Sequence, residues 1–174
     1  MKAFLPPQRQ SQKANTMPHT YFQAAALGAV TGMRSMGGPA LASDHLASAH
    51  PDALTASPFL RWLGTPKTAL VLKILAAGEI VGDKLPMTPS RLAPGPLFGR
   101  FLFGGLIGAA LCAADGKRVE AGAAIGALAA VASAFTFYHL RQWADKTTGL
   151  PDPIVAVAED AVAFFGGWSV LRTE

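Results

Sequence analysis

Cysteine is almost missing from this chain. Cys112 stands alone among 174 residues, which excludes an intramolecular disulfide and a cysteine zinc cluster. Charge is scarce as well. Asp, Glu, Lys and Arg together make up 15%, against about 25% in an average soluble domain. There is no Walker pattern, nucleophile elbow or zinc-protease helix, so no motif asks for a cofactor or marks a catalytic residue. The net charge is +4, but the basic residues form no stripe with interleaved aromatics, which argues against nucleic acid as a partner. A disordered chain is excluded too, because that state needs low hydrophobicity and high charge.

Apolar residues make up 51% of the chain and glycine occupies 18 positions. Mean hydropathy is +0.30. Five apolar runs span Tyr21 to Ala42, Thr68 to Leu85, Leu97 to Ala114, Val119 to Leu140 and Ile154 to Leu171. Each approaches the ~20 residues that carry a helix across about 30 Å of hydrocarbon. The expected fold is all-α, a polytopic membrane helix bundle with about five transmembrane helices in a single domain over residues 19–174. A soluble bundle is the alternative, but its helices would show a wide polar face. Residues 1–18 are polar, with Pro6, Pro7 and Pro18, and read as a disordered tail. A signal peptide fits less well, because the first apolar run starts late and contains Arg34.

Local signals mark the boundaries. Four prolines between Pro86 and Pro96 end the second run. Asp115-Gly116 reads as a tight turn, and Asp152-Pro153 as a helix start. Residues 43–67 read as the longest loop, with Trp62 at headgroup level. Counted from an amino terminus inside, eight Lys and Arg flank the cytoplasmic side and five the other. That orientation follows the positive-inside rule and puts the carboxyl terminus outside. If Gly37-Gly38-Pro39 breaks the first run into a re-entrant pair, the parity changes.

Small residues recur at helix-contact spacing: Gly104 and Gly108, Gly122 and Gly126, and Ala163 with Gly166 and Gly167. They allow close approach in lipid, either within one bundle or in a homo-oligomer. The sole cysteine reads as a small buried apolar residue. A metal site on His45, His50, Asp44 and Asp52 would sit on the long loop.

The charges inside the apolar runs carry the functional signal. Each costs about 2.5–3.5 kcal/mol near a membrane centre unless it is paired, wet or bound. Glu79 and Asp83 share a helix face at four-residue spacing. Glu159 and Asp160 lie in the last run among small residues. Arg34 is the deepest cation, and its fork can bridge two carboxylates. The pattern predicts that Glu79 and Asp83 approach Glu159 or Asp160, with Arg34 within reach. Such a cluster either locks helix register or binds an ion, a proton or a lipid phosphate. Oxygen ligands would suit Mg²⁺, Mn²⁺ or Ca²⁺ better than zinc.

Gly78-Glu79-Ile80-Val81-Gly82-Asp83-Lys84-Leu85-Pro86 resembles a Gly-Glu-x-x-x-Asp-Lys-x-Pro stretch. With Pro89-Ser90-Arg91, Gly99-Arg100, Tyr138-His139-Leu140-Arg141 and Ala158-Glu159-Asp160-Ala161, it resembles the bacterial integral membrane proteins of domain-of-unknown-function family 4126. Gly32-Met33-Arg34-Ser35 is similar to a Gly-Leu-Arg-Ala-type stretch there. The resemblance covers about residues 20–170. It implies a small multi-helix inner-membrane protein and no particular activity.

Three functions fit these residues. The first is a permease-like transporter whose Arg34, Glu79, Asp83, Glu159 and Asp160 bind a small cation or relay protons. The second is a lipid-handling protein with Arg91 and Arg100 on a lipid phosphate. The third is a structural or assembly subunit. Membrane lipids are the expected partners in all three.

Overall fold

The computed structural model describes residues 17–49, 57–82, 92–147 and 152–172. Among them are seven helices: α1 Met17–Met33, α2 Gly37–Ala49, α3 Pro58–Leu63, α4 Pro66–Gly82, α5 Pro94–Ala114, α6 Val119–Thr147 and α7 Asp152–Arg172. No strand occurs among the described residues. The fold is all-α, as the five apolar runs predict.

Among the described residues three helices are long and apolar enough to cross a membrane: Pro94–Ala114, Val119–Ala144 and Ile154–Arg172. The first apolar run is not one span. It is divided at Arg34, Ser35 and Met36 into α1 and α2. Pro39 explains the place. It has no N–H to give to the carbonyl of Ser35, four residues earlier, and its ring crowds that carbonyl. The expected break lay at Gly37-Gly38-Pro39; those residues instead form the first turn of α2. The loop expected over 43–67 is also shorter. It holds the rest of α2, the short α3 and the start of α4, and Asp44 and His45 are helical. The 1–18 tail lies mostly outside the described residues, and α1 already starts at Met17.

α5 and α6 run antiparallel with their backbones nearly touching. A Cβ on Gly104 would lie 2.6 Å from both the Gly126 carbonyl oxygen and the Ala130 Cβ. Gly108 meets Gly122 one turn further on. α1 runs parallel to α6, with Gly28 against Gly126 and Gly32 against Ala130 and Ser133. The Ser133 hydroxyl donates to the Ala29 carbonyl at 2.7 Å. These glycines are therefore used within one chain, where close approach substitutes for a hydrophobic drive. Thr20 donates to Asp115 at 2.5 Å and ties the start of α1 to the α5–α6 turn.

α2 folds back against α1. A Cβ on Gly38 would lie 2.6 Å from the Leu27 carbonyl oxygen, so glycine is what lets the hairpin close. α4 then runs antiparallel to α2, joined by Lys73 to Asp44 at 2.6 Å on the exposed surface. α7 descends along α1, with Gly167 beside Val30 and Leu27. Leu27, Leu46, Ile107 and Leu111 fill the centre. Outward faces are apolar, including Leu70, Ile74, Phe98, Leu128 and Phe165, as lipid contact requires.

Candidate charged site

The α1–α2 break creates two helix ends within the bundle. A helix carries partial positive charge at its N-terminus and partial negative charge at its C-terminus. Both ends have a fitting partner. At the N-terminal side of α2, the Glu79 carboxylate accepts the Ser35 N–H at 2.8 Å on Oε1 and the Met36 N–H at 2.9 Å on Oε2. Those donors belong to the turn where α1 has stopped and α2 has not begun, and the carboxylate satisfies both. The neighbouring N–H groups are used locally, with Gly37 donating to Arg34 at 3.0 Å.

Arg34 follows the last residue of α1, the favourable end for a cation. Its side chain is 3% exposed, and its Nε donates to Asp160 Oδ1 at 2.5 Å. The contact is charge-assisted and short. Glu159, the preceding residue on α7, points elsewhere. Its Oε2 lies 3.9 Å from Nη1 of Arg141 on α6, and it is 5% exposed. Adjacent residues on a helix are about 100° apart, so one α7 carboxylate faces α1 and the other faces α6. Arg100 is buried within α5.

The site is therefore a layer rather than a cluster. Arg34 meets Asp160 and Arg141 faces Glu159, Glu79 caps the broken turn, and Arg100 is buried on a fifth helix. Counting 1.5 Å per residue, the break lies about 24 Å from the start of α1, so the layer sits toward one face of the membrane-spanning part. Above it α6 and α7 diverge around a cleft of about 310 Å³. Phe137, Leu140, Val155 and Val162 wall the cleft, and Arg141 and Glu159 are its charged members.

A model for the family described as domain of unknown function (DUF4126) matches residues 22–173. The chain belongs to that family. The match takes in the described helices of this DUF4126 chain, α1 from Phe22 onward, and all six charged residues of the layer. No curated protein and no solved structure matches it.

The structure places the predicted residues as follows. Arg34 and Asp160 pair directly. Glu79 reaches the same break through the backbone of Ser35 and Met36. Glu159 faces Arg141, a residue outside the predicted set, at 3.9 Å. Among the described residues α4 and α7 are at most marginally in contact, and the broken turn links them, meeting Glu79 through its backbone and Asp160 through Arg34. Asp83 and Arg91 fall outside the described residues, as do His50 and Asp52 of the supposed loop metal site. Among the described residues no group of three or more His, Cys, Asp or Glu is placed to hold a metal ion. Arg100 is buried within α5.

Proposed function

We propose that this DUF4126 protein is a permease-like, multi-pass protein of the bacterial inner membrane whose buried charged layer binds and relays protons. One observation carries the reading. A discontinuous helix inside the bundle presents one end to the carboxylate of Glu79 and holds Arg34 against Asp160 at the other. Helices broken within the membrane are the usual scaffold of transport sites, because their free ends bind ions without extra charge.

Charge balance favours the proton over a divalent ion. Arg34, Arg100 and Arg141 already bring three cations among these carboxylates, which disfavours a divalent cation in a poor dielectric. A proton moving onto Asp160 changes the charge by one and breaks its ion pair with Arg34, which sits on the hinge between α1 and α2. Arg34 is then the group that couples protonation to movement of the hairpin.

The hairpin also resets the topology. With α1 and α2 as a re-entrant pair, Lys2, Arg9, Lys13, Arg61, Lys67, Lys117, Arg118 and Arg172 flank the side of the amino terminus. Lys84, Arg91, Arg141 and Lys146 flank the other. The excess puts both termini in the cytoplasm and the charged layer near the external face.

The test is reconstitution into liposomes loaded with a pH-sensitive dye. After an external acid step, wild-type vesicles should acidify faster than empty ones, and Asp160→Asn should abolish the difference. Adding Mg²⁺, Mn²⁺ or Ca²⁺ should leave the rate unchanged. Wild-type vesicles that acidify no faster than empty ones would overturn the reading and leave the layer a structural lock.

A further inference from the structure

The rest of the chain leaves one face of α4 uncovered. α4 packs against α2 and more lightly against α3. Turned away from them are Leu70, Ile74, Ala77 and Val81, all exposed. Their spacing is four, three and four residues, that of alternating d and a positions in a coiled coil. A purely apolar stripe would suit lipid. This one has charges at its edge. Lys73 and Asp44 of α2 pair at 2.6 Å, and their side chains are 53% and 52% exposed.

Depth makes that pair costly. With α4 crossing the membrane, Pro66–Gly82 rises about 26 Å at 1.5 Å per residue, and Lys73 stands about 10 Å along it. Asp44 stands about 10 Å along α2 from the α1–α2 break. Both therefore fall in the middle third of the bundle. Lys67, Lys146 and Arg172 are also exposed, but near helix ends, where headgroups and water meet them. Lys73 does not snorkel to such a boundary, because its ammonium is tied to Asp44. Ionisable side chains at this depth face protein or a water-filled cavity. Something other than acyl chains covers this face of α4.

We infer that the covering partner is a second copy of this chain, in a two-fold dimer with α4 against α4. The inference rests on α4 crossing the membrane, as in the permease-like reading, and not on proton movement. Self-complementarity identifies the occupant. A two-fold contact sets a patch against its own copy. The charges of this patch cancel, so a like patch is not repelled and no partner of one sign is called for. A two-fold axis along the membrane normal makes the two α4 helices parallel, and left-handed packing then resembles a coiled coil. In that geometry a g position lies opposite an e position five residues further along the other helix. Lys73, just before Ile74, holds the g position, and the e position five residues on is Gly78. Gly78 is exposed, and a Cβ there would have nothing within 4 Å. Each copy thus offers a notch that receives the Lys73–Asp44 pair of the other, and both pairs leave the lipid.

Cross-linking of the full chain in membranes tests this. A short bis-maleimide should join Ile74→Cys, at the centre of the seam, into a species of twice the chain mass. Phe165→Cys, exposed on α7, should stay single. Native Cys112 is buried and gives the background. Adding Gly78→Leu to Ile74→Cys fills the notch and should cut the cross-linked fraction about tenfold, the scale of one overpacked contact. Gly166→Leu is the matched control. Gly166 is likewise exposed with nothing within 4 Å of a Cβ, so neither leucine disturbs the single chain, and the control should leave the fraction unchanged. No cross-link at Ile74→Cys, or equal fractions with Gly78→Leu and Gly166→Leu, would overturn the dimer. Rapid labelling of Ile74→Cys by a membrane-impermeant thiol reagent would overturn it too, because the face would then line water. A cross-linked dimer whose vesicles move no protons would remove the proton reading alone.

Discussion

Arg34 at the end of α1 donates from Nε to Oδ1 of Asp160 on α7 across 2.5 Å, and both side chains are largely withdrawn from solvent. The geometry makes a directional prediction. Removing one partner breaks a buried ion pair in a medium that solvates charge poorly, which costs about 3–5 kcal/mol. Asp160→Asn and Arg34→Gln should each lower the melting temperature in detergent substantially. The pair Arg34→Met with Asp160→Leu should lose less than the sum of the two single changes, because no charge is stranded. Additive losses would show that the two side chains do not depend on each other.

The closest glycine seam supports a prediction with two signs. Gly104 has no room for a Cβ, which would lie 2.6 Å from backbone and side-chain atoms of α6. Gly104→Ala should force α5 from α6 and cost roughly 1–3 kcal/mol. Gly78 and Gly82 on α4 have nothing within 4 Å. Alanine there should be neutral or stabilising by up to about 1 kcal/mol, since glycine is the poorer helix former. Melting temperatures of the variants decide it, and equal losses at Gly104 and Gly78 would contradict the packing.

Much of this fold was legible in residue order. Runs of apolar residues placed α5 and α7 to within three residues at each end and fixed the start of α6, because a span must satisfy its own backbone; α6 runs on seven residues past Leu140 to Thr147. The break was legible only in part. Gly37-Gly38-Pro39 announced it, but a proline disables the carbonyl four residues before it, and that count leads to Ser35. Partners across helices were not legible. Whether Glu159 or Asp160 meets Arg34 turns on about 100° of helix rotation, set by how close Gly167 lets α7 come to Val30 and Leu27. Arg141 was missed for the same reason. Its place at a helix end suggested a flank, while its reach back toward Glu159 depends on the antiparallel register of α6 and α7.

The hairpin predicts which parts of the chain share a side. Lys13→Cys and Arg61→Cys should be modified by a membrane-impermeant thiol reagent from the same face of the bilayer. Five full crossings would put them on opposite faces. Native Cys112 is fully buried in α5 and should stay unlabelled without being replaced. Labelling of Arg61→Cys from the face opposite to Lys13→Cys would mean that α1 and α2 cross together as one span.

Glu79 separates a structural role for the layer from a functional one. Its two oxygens accept two backbone N–H groups at the break, so its shape and its charge can be removed separately. Glu79→Gln keeps the size and one good acceptor but turns an NH₂ toward the second N–H. The expected loss is about 1–3 kcal/mol, the cost of leaving a partly buried donor unmet and of losing a charge-assisted bond. Glu79→Ala loses both acceptors and should be worse. Glu79→Asp keeps the charge on a shorter arm and should fall nearest the wild type in stability if reach is not limiting. If the carboxylate only caps α2, vesicle acidification by the three variants should fall in the order of their melting temperatures. If it also exchanges a proton, Glu79→Gln should lose proton movement at temperatures where it remains folded, while Glu79→Asp retains it. Normal proton movement in a folded Glu79→Gln protein would confine Glu79 to capping and leave Asp160 as the exchanging group.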